Sequence, residues 1–95
     1  KLMTKDIKEI LNELNINYEG TYSKNDSYVI DLANDAEWGK IYSILESNEE
    51  IEEQEESTLL TVHNANLIYE YNGWQFVLSA DFDNNDNYRL TIKEI

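Results

Sequence analysis

The sequence predicts a two-layer α+β sandwich, in which two amphipathic helices cover one face of an antiparallel sheet in the order α, β, β, α, β, β, β, β. Three observations lead there. Two segments space their apolar residues with the helical period. An Asn-Gly pair, Asn72-Gly73, stands between two runs that alternate apolar and polar residues. Beyond Glu56 the apolar residues follow the strand period of two and never the helical one.

The first helix is read from Thr4 to Leu14, where Ile7, Ile10, Leu11 and Leu14 fall on one face. Thr4 is its expected N-cap and Asp6 suits the first turn, while Asn15 and Asn17 suit a stop. A hairpin follows, Ile16–Tyr22 and Tyr28–Leu32, around the polar turn Ser23–Ser27. Ile16, Tyr18, Tyr22, Tyr28, Ile30 and Leu32 are expected on its inner face, with Glu19 and Asp31 on the other. Asn34 opens the second helix with Glu37 three residues on, as in a capping box. Trp38, Ile41, Tyr42 and Leu45 form its apolar stripe, widened by Ile44. Gly39 costs about 1 kcal/mol against Ala inside a helix and is read as allowing close packing.

The helix is expected to end near Ser47 or Asn48. Beyond it Glu46/Glu50, Glu49/Glu53 and Glu52/Glu56 would each set like charges one helical turn apart, and carboxylates at a helix C-terminus oppose its dipole. Residues 46–56 hold seven carboxylates, interrupted by one apolar residue, Ile51. Glu49–Glu56 is therefore read as an acidic loop, pinned by Ile51.

The remainder reads as a four-stranded meander. A turn at Asn72-Gly73 sets Tyr71 opposite Trp74, Tyr69 opposite Phe76 and Leu67 opposite Leu78. A turn over His63–Asn66 would bring Leu60 and Val62 to the same face. A five-residue turn over Asp83–Asn87 would pair Phe82 with Tyr88 and Ala80 with Leu90, and set Leu78 level with Ile92. The other face is mixed: Thr61, Glu70, Gln75, Ser79 and an Asp81–Arg89 cross-strand pair.

At 95 residues the chain reads as one domain, 1–95, with a modest core that buries roughly 60–65% of its unfolded surface. Mean hydropathy is -0.63 and 41% of residues are hydrophobic, as in a soluble globular protein. There is no apolar run of bilayer length and no charged-then-apolar leader, and a cytoplasmic location is expected. With no cysteine, disulfides, thiolate metal sites and cysteine nucleophiles are excluded. Asp81–Asn87 resembles a calcium loop only in its oxygen ligands: Asp86 stands where glycine is needed, and Ile92 where a bidentate acid is needed. His63 is the only histidine and reads as a turn residue. The three glycines make no phosphate loop, no serine lies in a nucleophile elbow, and no cofactor or catalytic residue is expected.

Charge is the extreme property, with twenty acids against seven bases and a net of -13. Such a chain repels nucleic acid and anionic membranes and attracts basic surfaces. The run at 46–56 reads either as a solvated linker or as an anionic ligand surface. In the second reading Glu46, Glu49, Glu50, Glu52, Glu53, Glu55 and Glu56 face a basic partner. Extended chain advances about 3.3 Å per residue, against one charge per ~3.4 Å on a nucleic-acid strand. Aromatic residues at sheet edges or turns, Tyr22, Tyr28, Tyr71 and Trp74, are the expected anchors.

Size, net charge, the lack of Cys and Pro, and the Glu46–Glu56 run give the chain a resemblance to the small acidic inhibitors of phages and mobile elements, DNA mimics and anti-CRISPR proteins among them. The resemblance is one of composition over the whole chain. It implies a non-enzymatic inhibitor whose acidic surface occupies the basic nucleic-acid-binding groove of a target protein, such as a CRISPR-associated nuclease. An immunity protein for a toxic nuclease, and an acidic structural or adaptor domain, are the alternatives.

Overall fold

The computed structural model describes residues 6–84 and 87–95. They form helices α1 (Ile7–Glu13) and α2 (Asp35–Ser47) and strands β1 (Tyr22–Lys24), β2 (Ser27–Leu32), β3 (Glu52–Glu53), β4 (Leu59–Leu60), β5 (Asn64–Tyr71), β6 (Trp74–Asp81) and β7 (Tyr88–Glu94). A 3₁₀ turn, Glu55–Ser57, separates β3 from β4. The fold is the predicted α+β arrangement: one antiparallel sheet in the order β1-β2-β7-β6-β5-β3, with β4 also on β5 and the helices against one face.

Both helices are delimited by side chains. The Asp6 carboxylate caps α1, accepting from Glu9 N–H at 3.0 Å; the expected cap Thr4 lies outside the described residues. Asn15 takes φ 59°, and Ile16 N–H reaches back to Leu11 C=O at 2.9 Å. This Schellman closure leaves Leu11 and Ile16 buried together in the core. In α2 the Asn34 side chain accepts from Glu37 N–H at 3.0 Å, and the Glu37 carboxylate accepts from Ala33 N–H at 2.7 Å. A Cβ on Gly39 would meet nothing within 4 Å, so close packing is not what places a glycine there.

Register assembles the core as rows across the sheet. Leu67, Leu78, Leu90 and Ile30 form one row; Tyr69, Phe76, Ile92 and Tyr28 form the next. Leu67, Tyr69, Tyr71, Trp74, Phe76 and Leu78 all share the buried face, as the Asn-Gly turn predicts. That turn has φ 49° at Asn72 and 81° at Gly73. Ile10, Leu11 and Leu45 from the helices close over the rows. Trp38 Nε1 donates to the Ser79 carbonyl at 3.1 Å and ties α2 to β6.

Four expectations need correction. The first hairpin turns through two residues, Asn25-Asp26, because Asn25 accepts the left-handed backbone (φ 57°); β1 is only Tyr22–Lys24. Tyr22 consequently stands on the outer face, where its hydroxyl donates to Asp31 at 2.9 Å. In the meander, the Thr61 hydroxyl accepts from His63 and Asn64 N–H, so the chain turns early, Leu60 pairs with Ala65, and Leu60 and Val62 are exposed. The β6–β7 turn closes one residue earlier than expected on each strand. Asp81 N–H closes it on Asn87 C=O, Phe82 N–H turns to His63 C=O, and Ala80 rather than Phe82 faces Tyr88. This is a slip of two, so every side chain keeps its face. It replaces the Asp81–Arg89 pair with Asp31–Arg89, at 2.8 Å. Finally, the acidic segment is not all loop: Glu52–Glu53 pairs with Glu70 and Tyr69 as β3.

Candidate interaction surface

The path of the acidic run is set by local hydrogen bonds and one apolar anchor. α2 stops at Ser47; the Asn48 side chain then accepts from Glu50 N–H at 2.9 Å, and its carbonyl accepts from Ile51 N–H at 3.1 Å. Ile51 is 8% exposed and packs in the main core, as its isolation among carboxylates predicts. Gln54 N–H donates to Ile68 C=O at 2.8 Å, and Thr58 Oγ1 both donates to Gln54 C=O and accepts from Ile68 N–H. The run therefore follows the edge of β5, tied to it by the Glu52–Glu53 ladder and by two bonds at Ile68.

That path sorts the acids. Glu49, Glu50, Glu52, Glu55 and Glu56 are exposed. Glu52 lies opposite Glu70 on the outer face, a like-charged cross-strand pair. Glu50, Glu52 and Glu70 line a hollow of about 400 Å³ with Tyr71, Asn72, Gly73 and Ile95. Glu53 instead turns inward beside Tyr69. The Tyr69 hydroxyl donates to Glu46, and Glu46 and Glu53 share a hydrogen bond. Losing the proton between two carboxylates is costly, so Glu53 is pushed up to about 7 and Glu46 is held below the usual carboxylate range. Burial and the Glu46 carboxylate raise the Tyr69 hydroxyl.

Tyr71 and Trp74, expected as partner anchors, are core residues at 8% and 6% exposed. The Tyr71 hydroxyl donates to Glu13 at 2.9 Å, which adds an α1 carboxylate to this end of the molecule. Tyr28 is half-buried against Trp74, and Tyr22 is 41% exposed at the far edge. Glu13 and Glu70 were the partners hardest to foresee. Only the strand pairing shows that Glu70 joins Glu52, and only helix packing brings Glu13 over Tyr71.

Positive charge lies elsewhere on the sheet. One outer row runs Glu52, Glu70, Gln75, Lys93, Ser27, Lys24, acidic at the β3 edge and basic at the β1 edge. Arg89 on β7 is engaged with Asp31, which the guanidinium holds below its ordinary range. A second, polar hollow of about 640 Å³ lies between Asp31, Arg89, Asn66, Leu59 and Asp83. His63 Nδ1 stands 3.1 Å from Asp83, both well exposed. Among the described residues no three His, Asp or Glu side chains gather as metal ligands, and no helix is long and apolar enough to cross a membrane. Comparison with family models, characterised proteins and solved structures finds no match.

Proposed function

We propose that the protein is a non-enzymatic inhibitor that places its acidic edge in the basic nucleic-acid-binding groove of a target protein, a CRISPR-associated nuclease being one such target. The observation that carries this is the hollow at Glu50, Glu52 and Glu70, with Glu49, Glu55 and Glu56 exposed on the same edge and Ile51 holding that edge to the core. Carboxylates held in place lose less freedom on binding than those of a free linker. Because Glu53 turns inward, the mimic is a patch spread over two strands rather than one strand of evenly spaced charge. A Lys or Arg side chain that normally contacts phosphate fits between Glu52 and Glu70, where it also relieves their repulsion.

The test uses a panel of nucleic-acid enzymes with basic grooves, CRISPR-associated nucleases included, with and without competing DNA. Replacing Glu49, Glu50, Glu52, Glu53, Glu55 and Glu56 by Gln takes the net charge from -13 to -7. Binding that DNA competes away, with slower association and a shallower salt dependence for the Gln variant, is the expected result. Equal association rates and salt slopes for parent and variant would remove the acidic edge from the interface.

A further inference from the structure

Leu59, Leu60 and Val62 are 50%, 56% and 83% exposed, three apolar side chains within four residues. Their backbone is also uncommitted on one side. Thr61 N–H donates to Asn64 C=O at 2.8 Å, which makes Thr61–Asn64 the hydrogen-bonded pair that closes the turn. In an antiparallel ladder the next pair, Leu60–Ala65, is then the non-bonded kind, and the Leu60 N–H and C=O point away from β5. Among the described residues β4 has no ladder partner except β5. Proteins ordinarily blunt such an edge with charges pointing along it. Here the charges stand around it. Glu55 and Glu56 precede it, Asp81 pairs with Asn64 behind the turn, and Asp83 sits beside His63.

We propose that β4 is a docking edge for one extended segment of a partner protein, a segment that alternates apolar side chains with Lys or Arg. The segment adds a strand beside Leu59–Val62. Its main chain bonds to Leu60, its apolar side chains cover Leu60 on the face of Ala65 and reach Val62, and its basic side chains, on the opposite face with Leu59 and Asn66, meet Glu55, Glu56, Asp81 and Asp83. The acidic rim selects this occupant. A second copy of the chain would bring the same rim, and another -13 charges, against the first. The inference rests on the reading of this protein as a binder of basic partners, and adds the contact that gives such binding its register. Charge steers and apolar burial holds.

The probe is a short synthetic peptide alternating Lys with Val, compared with one of equal charge alternating Lys with Ser. The Lys–Val peptide should bind about tenfold more tightly. Amide NMR shifts should centre on Leu59–Val62, and hydrogen exchange at Leu60 N–H should slow. N-methylation of the peptide's edge-facing amides should abolish the preference, and Leu60→Ser with Val62→Ser should bring the two peptides level. Equal binding of both peptides by the parent, or shifts centred elsewhere, would overturn the proposal. So would a dimer in sedimentation velocity that Leu60→Lys dissolves, since the edge would then belong to a second copy. A four-Gln variant at Glu49, Glu50, Glu52 and Glu53, which keeps the rim acids Glu55 and Glu56, separates this inference from the reading beneath it. Slower association with a basic-groove enzyme and the Lys–Val preference kept supports both, and unchanged association with that enzyme with the preference kept supports the docking edge alone.

Discussion

Strands β5, β6 and β7 and the β3–β4 edge belong to one sheet, yet they are stabilised differently. In the centre each inward position is buried: Leu67, Tyr69, Phe76, Leu78, Leu90 and Ile92 lie in continuous rows beneath the helices. At the edge two strands of two residues each are divided by a 3₁₀ turn and held by Ile51, by Thr58 and by main-chain bonds to β5. The central strands are paired on both sides, and their apolar area supplies most of the favourable free energy of folding. The edge can therefore carry features that oppose folding, the Glu52–Glu70 pair and the exposed Leu59 and Leu60 among them, with little loss of stability.

The largest expected effect tests that division directly. Phe76→Ala, at a site fully shielded from solvent, should destabilise the fold by about 3–5 kcal/mol, whereas Leu60→Ala should fall within about 0.5 kcal/mol of the parent in urea unfolding. Comparable losses at both sites would break the distinction. Next in size, Gly73→Val should lose more than about 1 kcal/mol, because a β-branched residue resists φ 81°. A variant as stable as the parent would mean that the central register does not depend on its turn.

Smaller, and confined to the edge, is the response to pH. Glu53 is held at about 7 in the native state against 4.5 for an unperturbed Glu, so the folded protein binds a proton that the unfolded chain releases between those values. The stability linked to Glu53 is complete below its unfolded pKa and is lost as pH rises through about 7. Glu46, held low by the same hydrogen bond, acts in the opposite sense as pH falls. Melting temperature should therefore decline from about pH 5 to about pH 8 in the parent and decline less in Glu53→Gln. Parallel profiles would show that the Glu46–Glu53 contact does not couple the edge to α2. The smallest effect is that of the six-Gln variant. Its stability should hold or rise slightly as repulsion within the run falls, which unfolding in low salt would reveal.

The contrast between centre and edge also explains what the sequence discloses. Periodicity locates α1, α2 and the buried face of β5 and β6, since a helical stripe or an alternating strand is a local pattern, and Asn72-Gly73 specifies its turn chemically. Ile51 is legible as an anchor because it stands alone among carboxylates. The Leu60–Ala65 register and the early closure of the turn at Asp81 are not legible. Both depend on small polar contacts, the Thr61 hydroxyl with His63 and Asn64 N–H and the Phe82–His63 main-chain bond, and alternative turn lengths preserve the same apolar face. Tyr71 and Trp74 could equally serve a core or an interface until the helices are placed over them.

The position of β7 between β2 and β6 has a consequence for how the chain reaches this fold. Strands β5, β6 and β7 pair with sequence neighbours through short connections, but β2 must find β7 across long stretches of chain: the Asp31–Arg89 contact closes 58 residues. Loop-closure entropy delays such contacts. The meander should therefore collapse first as a local nucleus, with β7 presenting an open side. Docking of the first hairpin onto that side is then the late, rate-limiting event. Until it happens, the nucleus exposes the full length of β7 as an unpaired strand edge. The native protein retains only short stretches of free edge, and the time spent before β2 arrives is when this chain is most exposed to misassociation.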